Sequence, residues 1–199
     1  DFGHADCILF FGQNPGSNSP RMLHPLQEAS ERGVPIITYN PLRERGLERF
    51  TNPQSPLEML TTRETRISSQ YHQVKTGGDL AALTGICKAV LEREDAGEPA
   101  LDGAFIAEHT HGFDAFIASL QAQPWEPLVQ ASGLTREQIE QAADLYAGSE
   151  RVIACWGMGI TQHRHSVATI QMIVNLLLLR GNLGRAGAGA CPVRGHSNV

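Results

Sequence analysis

The sequence predicts an α/β fold on a mostly parallel sheet, and three observations carry that reading. Cys7–Phe11 is an apolar run too short for a buried helix and ended by Gly12, the pattern of a strand buried on both faces. Between residues 21 and 32, Met22, Leu23, Leu26 and Ala29 fall at helical spacing, and Gly33 supplies the stop. Residues 34–39 form a second β-rich run. Strand, helix and strand therefore fit within residues 7–39, the size of one right-handed parallel βαβ unit, whose loops gather ligands at the carboxyl ends of its strands.

The remaining elements follow in order. The loop after the first strand, Gly12-Gln13-Asn14-Pro15-Gly16, is built from residues that permit unusual backbone angles and short amide contacts, with a helix expected from about Pro20. Strand, small-residue loop and helix N-terminus suit a phosphate or nucleotide. Residues 40–69, with Pro41, Pro53 and Pro56, read as a long irregular excursion. A short strand and glycine turn are expected at residues 74–79, with Asp79 capping a helix over residues 80–94. Residues 101–123 suggest two short helices split at Gly112. Thr135, three residues before Gln138, makes a capping box for a helix reaching about Ala147. Val152–Trp156 is a third buried strand, closed by Gly157-Met158-Gly159, and Ser166–Leu179 is a largely apolar helix. Residues 181–199 are expected to be a glycine-rich irregular tail.

Composition narrows the function. At 199 residues and 41% hydrophobic, the chain can form one sizeable domain, read as a single unit over residues 1–199. A formal net charge of -5 argues against a nucleic-acid surface, and the longest apolar stretch, residues 173–179, is broken by Asn175 and is too short for a membrane span. Cys7, Cys87, Cys155 and Cys191 form no C-x-x-C pair, so no zinc ribbon or complete iron–sulfur motif is present, and a cytoplasmic location with reduced thiols is expected. The chain begins at Asp1 without a Met and ends without a closing helix, which reads as a piece of a longer polypeptide.

Two strand-to-glycine turns, at Gly12–Pro15 and Gly157–Gly159, open on the same edge of a parallel sheet and point to a nucleotide site, although neither matches G-x-G-x-x-G or a P-loop. They also serve as tight connections. Asp79 is a helix cap or an acceptor for a ribose or guanine. Adjacent residues on a helix point in different directions, so His163 and His165 are better read as solvated or packing groups than as metal ligands. Arg194, in a glycine-rich loop, is either a surface arginine or a bidentate partner for a small carboxylate. No nucleophile and base stand out as a pair.

Taken together, Phe10–Pro15 (F-F-G-Q-N-P), residues 76–79 (T-G-G-D), 156–162 (W-G-M-G-I-T-Q), 181–184 (G-N-L-G) and 192–198 (P-V-R-G-H-S-N) resemble the molybdopterin oxidoreductases, specifically formate-dehydrogenase-like alpha subunits. The resemblance covers nearly the whole chain in order. It implies a three-layer α/β/α Rossmann-like domain that holds the guanine dinucleotide part of a molybdenum bis-(molybdopterin guanine dinucleotide) cofactor, Mo-bis-MGD. By motif, Gly12, Asn14 and Pro15 would line the dinucleotide cleft, Asn40 and Pro41 would follow the second strand towards it, and Gly78 and Asp79 would lie beside guanosine. Gly157, Met158, Gly159 and Gln162 would approach the pterin and phosphates, together with Gly195 and His196, and Arg194 would be the catalytic arginine that orients a substrate carboxylate.

The same resemblance implies an oxidoreductase whose iron–sulfur cluster and metal-ligating residue lie in other domains of the polypeptide, acting on a small molecule such as formate. This segment alone would be inactive. The sequence departs from the family pattern in having Asn40-Pro41-Leu42-Arg43 where Asp-Pro-Arg is common, His196 where formate dehydrogenases carry Gln, and a longer excursion before Ser69. A non-catalytic nucleotide-binding or protein-interaction module on the same fold is the alternative.

Overall fold

In the computed structural model, which describes residues 1–61 and 63–193, the first apolar run becomes β1 (Cys7–Phe11). A single turn, α1 (Pro15–Asn18), and a 3-10 turn precede α2 (Leu23–Glu31), which returns the chain to β2 (Ile36–Tyr39). Next come α3 (Arg45–Glu48), β3 (Arg49–Phe50), α4 (Pro56–Leu60), β4 (Thr65–Arg66) and β5 (Gln70–His72). Five helices follow: α5 (Asp79–Asp95), α6 (Gly103–His109), α7 (Phe113–Gln121), α8 (Trp125–Ser132) and α9 (Arg136–Ala147). The chain then forms β6 (Val152–Trp156), α10 (Met158–Thr161), α11 (Ser166–Leu179) and β7 (Gly189–Pro192).

β1 lies at the centre because all five of its residues are buried and it has apolar partners on both sides. The sheet order is β5-β2-β1-β6-β7, every pairing parallel. Side chains alternate between faces, which divides the core in two. Cys7, Leu9 and Phe11 join Ile37, Tyr39, Ala154 and Trp156 beneath α5, α9 and α11. On the other face, Ile8, Phe10, Ile36, Ile153 and Cys155 pack against Leu23, Leu26 and Ala29 of α2 and against Leu47 and Ile67. This is the expected three-layer α/β/α arrangement of a Rossmann-like domain. No helix among the described residues is long and apolar enough to cross a membrane.

Three features depart from the sequence reading. The strand expected at residues 74–79 instead lies at Gln70–His72, where the edge of the sheet accepts polar residues because one side faces solvent. The excursion is organised, with a short antiparallel β3–β4 ladder, and is anchored on the sheet by Thr38 Oγ1 and Ser68 Oγ at 2.8 Å. The tail is not wholly irregular, because β7 pairs with β6, with Cys191 opposite Cys155 and Pro192 opposite Trp156. The capping box of Thr135 and Gln138 forms as expected.

Two polar ties hold β6 against its neighbours. Arg151 reaches Asp6 with Nη2–Oδ1 at 2.8 Å and Nε–Oδ2 at 3.0 Å, clamping the starts of β6 and β1, and this hydrogen bond holds the Asp6 carboxyl below the usual carboxylate range. Asn182 is fully buried. Its Oδ1 accepts from the Val152 N–H at 2.9 Å, and its Nδ2 donates to the Tyr146 hydroxyl at 3.3 Å. Asn182→Leu would leave the Val152 N–H unpaired in the core, and a buried donor without a partner costs about 1–3 kcal/mol. Urea denaturation should show a loss of that size, whereas Glu28→Ala on the exposed face of α2 should change stability by under about 0.5 kcal/mol.

Candidate functional site

A parallel sheet brings the loops after β1, β2 and β6 to one edge, and here they enclose a cleft of about 430 Å³. The edge is finished by one row of register partners, His72, Tyr39, Phe11, Trp156 and Pro192, running across all five strands. Tyr39 is stacked between Phe11, at 4.9 Å, and His72, at 5.1 Å. This row, mostly buried aromatic side chains, underlies the cleft.

Above it, the two glycine turns touch through their backbones. Gly12, at φ +54°, donates its N–H to Tyr39 O at 3.1 Å and accepts from Gly159 N–H at 3.1 Å, while Gly157 N–H donates to Phe11 O at 3.1 Å. A Cβ at Gly157 would lie 2.9 Å from Gly12 O, and one at Gly159 would lie 2.7 Å from it. Glycine is required at these positions because the turns pack backbone against backbone.

The polar groups of the cleft come from small side chains. Asn14 caps α1, its Oδ1 accepting from Ser17 N–H at 3.1 Å, and its Nδ2 donates to the Glu44 carboxylate. Asn40 is buried and donates its Nδ2 to Gln13 O at 3.1 Å, which ties the β2 loop to the β1 loop. Gln13 is also buried, and its Oε1 has no hydrogen-bond partner among the described residues. Asn18, Ser19 and Val193 complete the walls. The described lining residues include no lysine or arginine and one carboxylate, Glu44. The site therefore offers neutral amide and hydroxyl groups, with one acidic acceptor suited to hydroxyl or amino donors of a ligand.

The cleft brings together Gly12, Asn14, Asn40, Gly157, Met158 and Gly159 from the sequence reading. Pro15, Pro41, Gly78, Asp79 and Gln162 do not line it. Pro15 is the buried first residue of α1, so the first helix begins there rather than near Pro20. Pro41 is exposed, its carbonyl accepting from Gln73 Nε2, and Gln162 is exposed at the end of α10. Gly78 is the N-cap of α5 and packs on α8, where a Cβ would lie 2.7 Å from Ala131 O. Arg194, Gly195 and His196 lie outside the described residues, although Val193 lines the cleft.

Asp79 does not cap its helix through its side chain. It is the first residue of α5, it is buried, and its Oδ1 has no partner among the described residues. Burial pushes its carboxyl up to about 6, against the smaller opposing pull of its own backbone N–H and of His163. Sequence reasoning placed Gln13 in the ligand turn without giving it a role of its own, and missed Asn18, Ser19, Glu44 and Val193 as lining residues. The small polar run Asn14–Ser19 carried a usable signal for two of them, whereas Glu44 arrives from a segment whose path the sequence does not disclose.

Comparison with known proteins gives the chain its family. The chain is 50% identical over 204 residues to Protein YdeP of Escherichia coli, matching all of this chain and 27% of that protein. It is 42% identical over 200 residues to the uncharacterized oxidoreductase Rv2900c of Mycobacterium tuberculosis, of which it covers 26%. Formate dehydrogenase H of Escherichia coli is 29% identical over 199 residues, with 25% of its length covered. The chain thus spans about a quarter of the length of these relatives. Among solved structures, acetylene hydratase from Pelobacter acetylenicus superposes with a TM-score of 0.77 over 94% of this chain and 23% of that one, at 18% identity, a likeness of fold. The molybdopterin oxidoreductase family model matches residues 1–197, and the chain belongs to that family.

Proposed function

We propose that the cleft holds the guanine dinucleotide part of Mo-bis-MGD, and that the chain is the dinucleotide-binding domain of a larger molybdenum oxidoreductase. The observation that carries this reading is the convergence of the Gly12–Asn14 and Gly157–Gly159 turns with Asn40 in one amide-lined cleft. The groups present suit such a ligand. The glycines of the two turns permit close approach of a pyrophosphate to backbone, and Asn14, Asn18 and Ser19 can donate to its oxygens. Glu44 would repel a phosphate but accept from ribose hydroxyls, so the sugar belongs on its side of the cleft. Gln13 Oε1, a buried acceptor among the lining residues, is left for a guanine N–H.

Bound there, the cofactor would supply two-electron redox chemistry at molybdenum. The residues of this chain hold and orient it: the turns fix the pyrophosphate, and the buried rings of Phe11, Tyr39 and Trp156 underlie those turns. In this reading Arg194, the next residue after Val193 at the cleft wall, orients a small anionic substrate such as formate. The iron–sulfur cluster and the metal-ligating residue belong to other domains of the same polypeptide.

The direct test is to purify the full polypeptide and measure molybdenum and released guanosine monophosphate by mass spectrometry. Both are expected, and a pure protein containing neither would overturn the reading. In that enzyme Arg194→Ala should lower kcat/KM at least about tenfold, roughly 1.4 kcal/mol of transition-state stabilisation, while molybdenum content is unchanged. Equal losses of turnover and molybdenum would instead make Arg194 a cofactor-binding residue.

Asp79 gives a pH test. Its folded carboxyl titrates near 6, above the ordinary 3.8, so its contribution is most favourable below about pH 4, where it is protonated in both states, and is lost as pH rises through 6. Asp79→Asn should therefore stabilise the cofactor-free protein by up to about 3 kcal/mol near pH 7.5 and by little near pH 4. Urea denaturation at the two pH values measures the difference, and an equal gain at both would mean that the charge is not its cause.

A further inference from the structure

Away from the cleft, two cysteines face each other across the last pair of strands. Cys155 of β6 is the register partner of Cys191 of β7, and both belong to the apolar cluster on the α2 face of the sheet. Register partners on neighbouring strands point to the same face, about 4.8 Å apart along the hydrogen-bonding direction. A disulfide spans Cα separations of about 4.4–6.8 Å, so this pair can be bridged without moving either strand far. Their exposure differs. Cys155 is fully buried, whereas Cys191 is half-buried on an edge strand within reach of a small molecule.

We propose that Cys191 and Cys155 form a thiol–disulfide exchange site for low-molecular-weight disulfides, which closes to a cross-strand bond between β7 and β6. The electrostatics agree with this division of labour. The neighbouring Cys155 thiol draws Cys191 down to about 7, while burial holds Cys155 itself well above the usual thiol range. Cys191 is thus the attacking group and Cys155 the resolving one.

The exchange balances in two displacements. The Cys191 thiolate attacks one sulfur of the small disulfide, the S–S electron pair leaves with one small thiolate, and a mixed disulfide remains on Cys191. Cys155 then attacks the Cys191 sulfur and expels the second small thiolate. The two protons released by the cysteines end on the two small thiols, so one small disulfide is reduced and one protein disulfide is gained.

The other two thiols have no such partner. Cys7 sits opposite Val152 and is pushed up to about 12 by burial, and Cys87 is buried within α5. Closing the bond would pin the edge strand two residues before Val193, whose N–H donates to Trp156 O at 2.8 Å and whose side lines the cleft. The proposal stands whether or not that cleft holds a dinucleotide.

The experiment treats the full polypeptide with oxidised glutathione without oxygen, blocks remaining thiols, and digests with trypsin without reduction. The expected product joins the peptide of residues 152–164 to that of residues 186–194 and separates on reduction. Cys155→Ser should stop at glutathione on Cys191, and Cys191→Ser should leave Cys155 unmodified. Wild-type protein in which Cys191 stays free, or carries glutathione with no link to Cys155, would overturn the proposal, and this readout needs neither variant to fold.

Discussion

The backbone of Gly12 is the point on which the functional edge depends. Its N–H is taken by β2 through Tyr39 and its C=O by the β6 turn through Gly159, so one residue in left-handed geometry joins three loops. A side chain at Gly12, Gly157 or Gly159 would meet neighbouring backbone at about van der Waals overlap and push the turns apart. The aromatic row from His72 to Trp156 supports this junction from below, with Tyr39 stacked between Phe11 and His72. The meeting of the turns at the cleft is thus a product of backbone contact rather than of side-chain chemistry.

The excursion between β2 and β5 is the second support. Gly16 and Gly46 pack α1 on α3 so closely that a Cβ on Gly46 would lie 2.8 Å from Gly16 Cα, and Asn14 bridges the same junction to Glu44. The far end is fixed by Ser68, whose hydroxyl meets Thr38 on β2 and Leu47 O. A segment that reads as irregular therefore sets the position of the ligand loop and supplies its one carboxylate. The thiol pair on β6 and β7 belongs instead to the apolar cluster on the α2 face of the sheet.

Much of this was legible in sequence where one residue type has one physical use. The capping box of Thr135 and Gln138, the stop at Gly33, and the apolar runs of β1 and β6 all formed as their patterns require. β5 was misplaced because Gln70, Tyr71 and His72 carry no apolar alternation: their strand conformation comes from pairing with β2, a tertiary effect. β7 was hidden for the same reason, since Gly189 and Ala190 have little strand propensity and are held by β6. The pairing that creates β7 also creates the contact between Cys155 and Cys191, two residues that sequence spacing alone had left as scattered thiols. The sequence reads Asp79 as a helix cap, yet Gly78 takes that position and Asp79 Oδ1 is buried without a partner among the described residues.

The strand order has a consequence for the life of the chain on the ribosome. β1 and β6 are central neighbours joined by an Asp6–Arg151 pair 145 residues apart, and Cys7 has no partner on that side until Val152 exists. A chain emerging from its N-terminus can pair β1 with β2 and add β5 early, but it must then carry β1 with one open edge while the whole helical layer is made. Closing so long a loop is slow, and an apolar strand with an open edge is a template for wrong pairing. The topology that gathers the ligand loops on one edge therefore places the greatest risk of misassembly in the interval between the synthesis of β5 and that of β6.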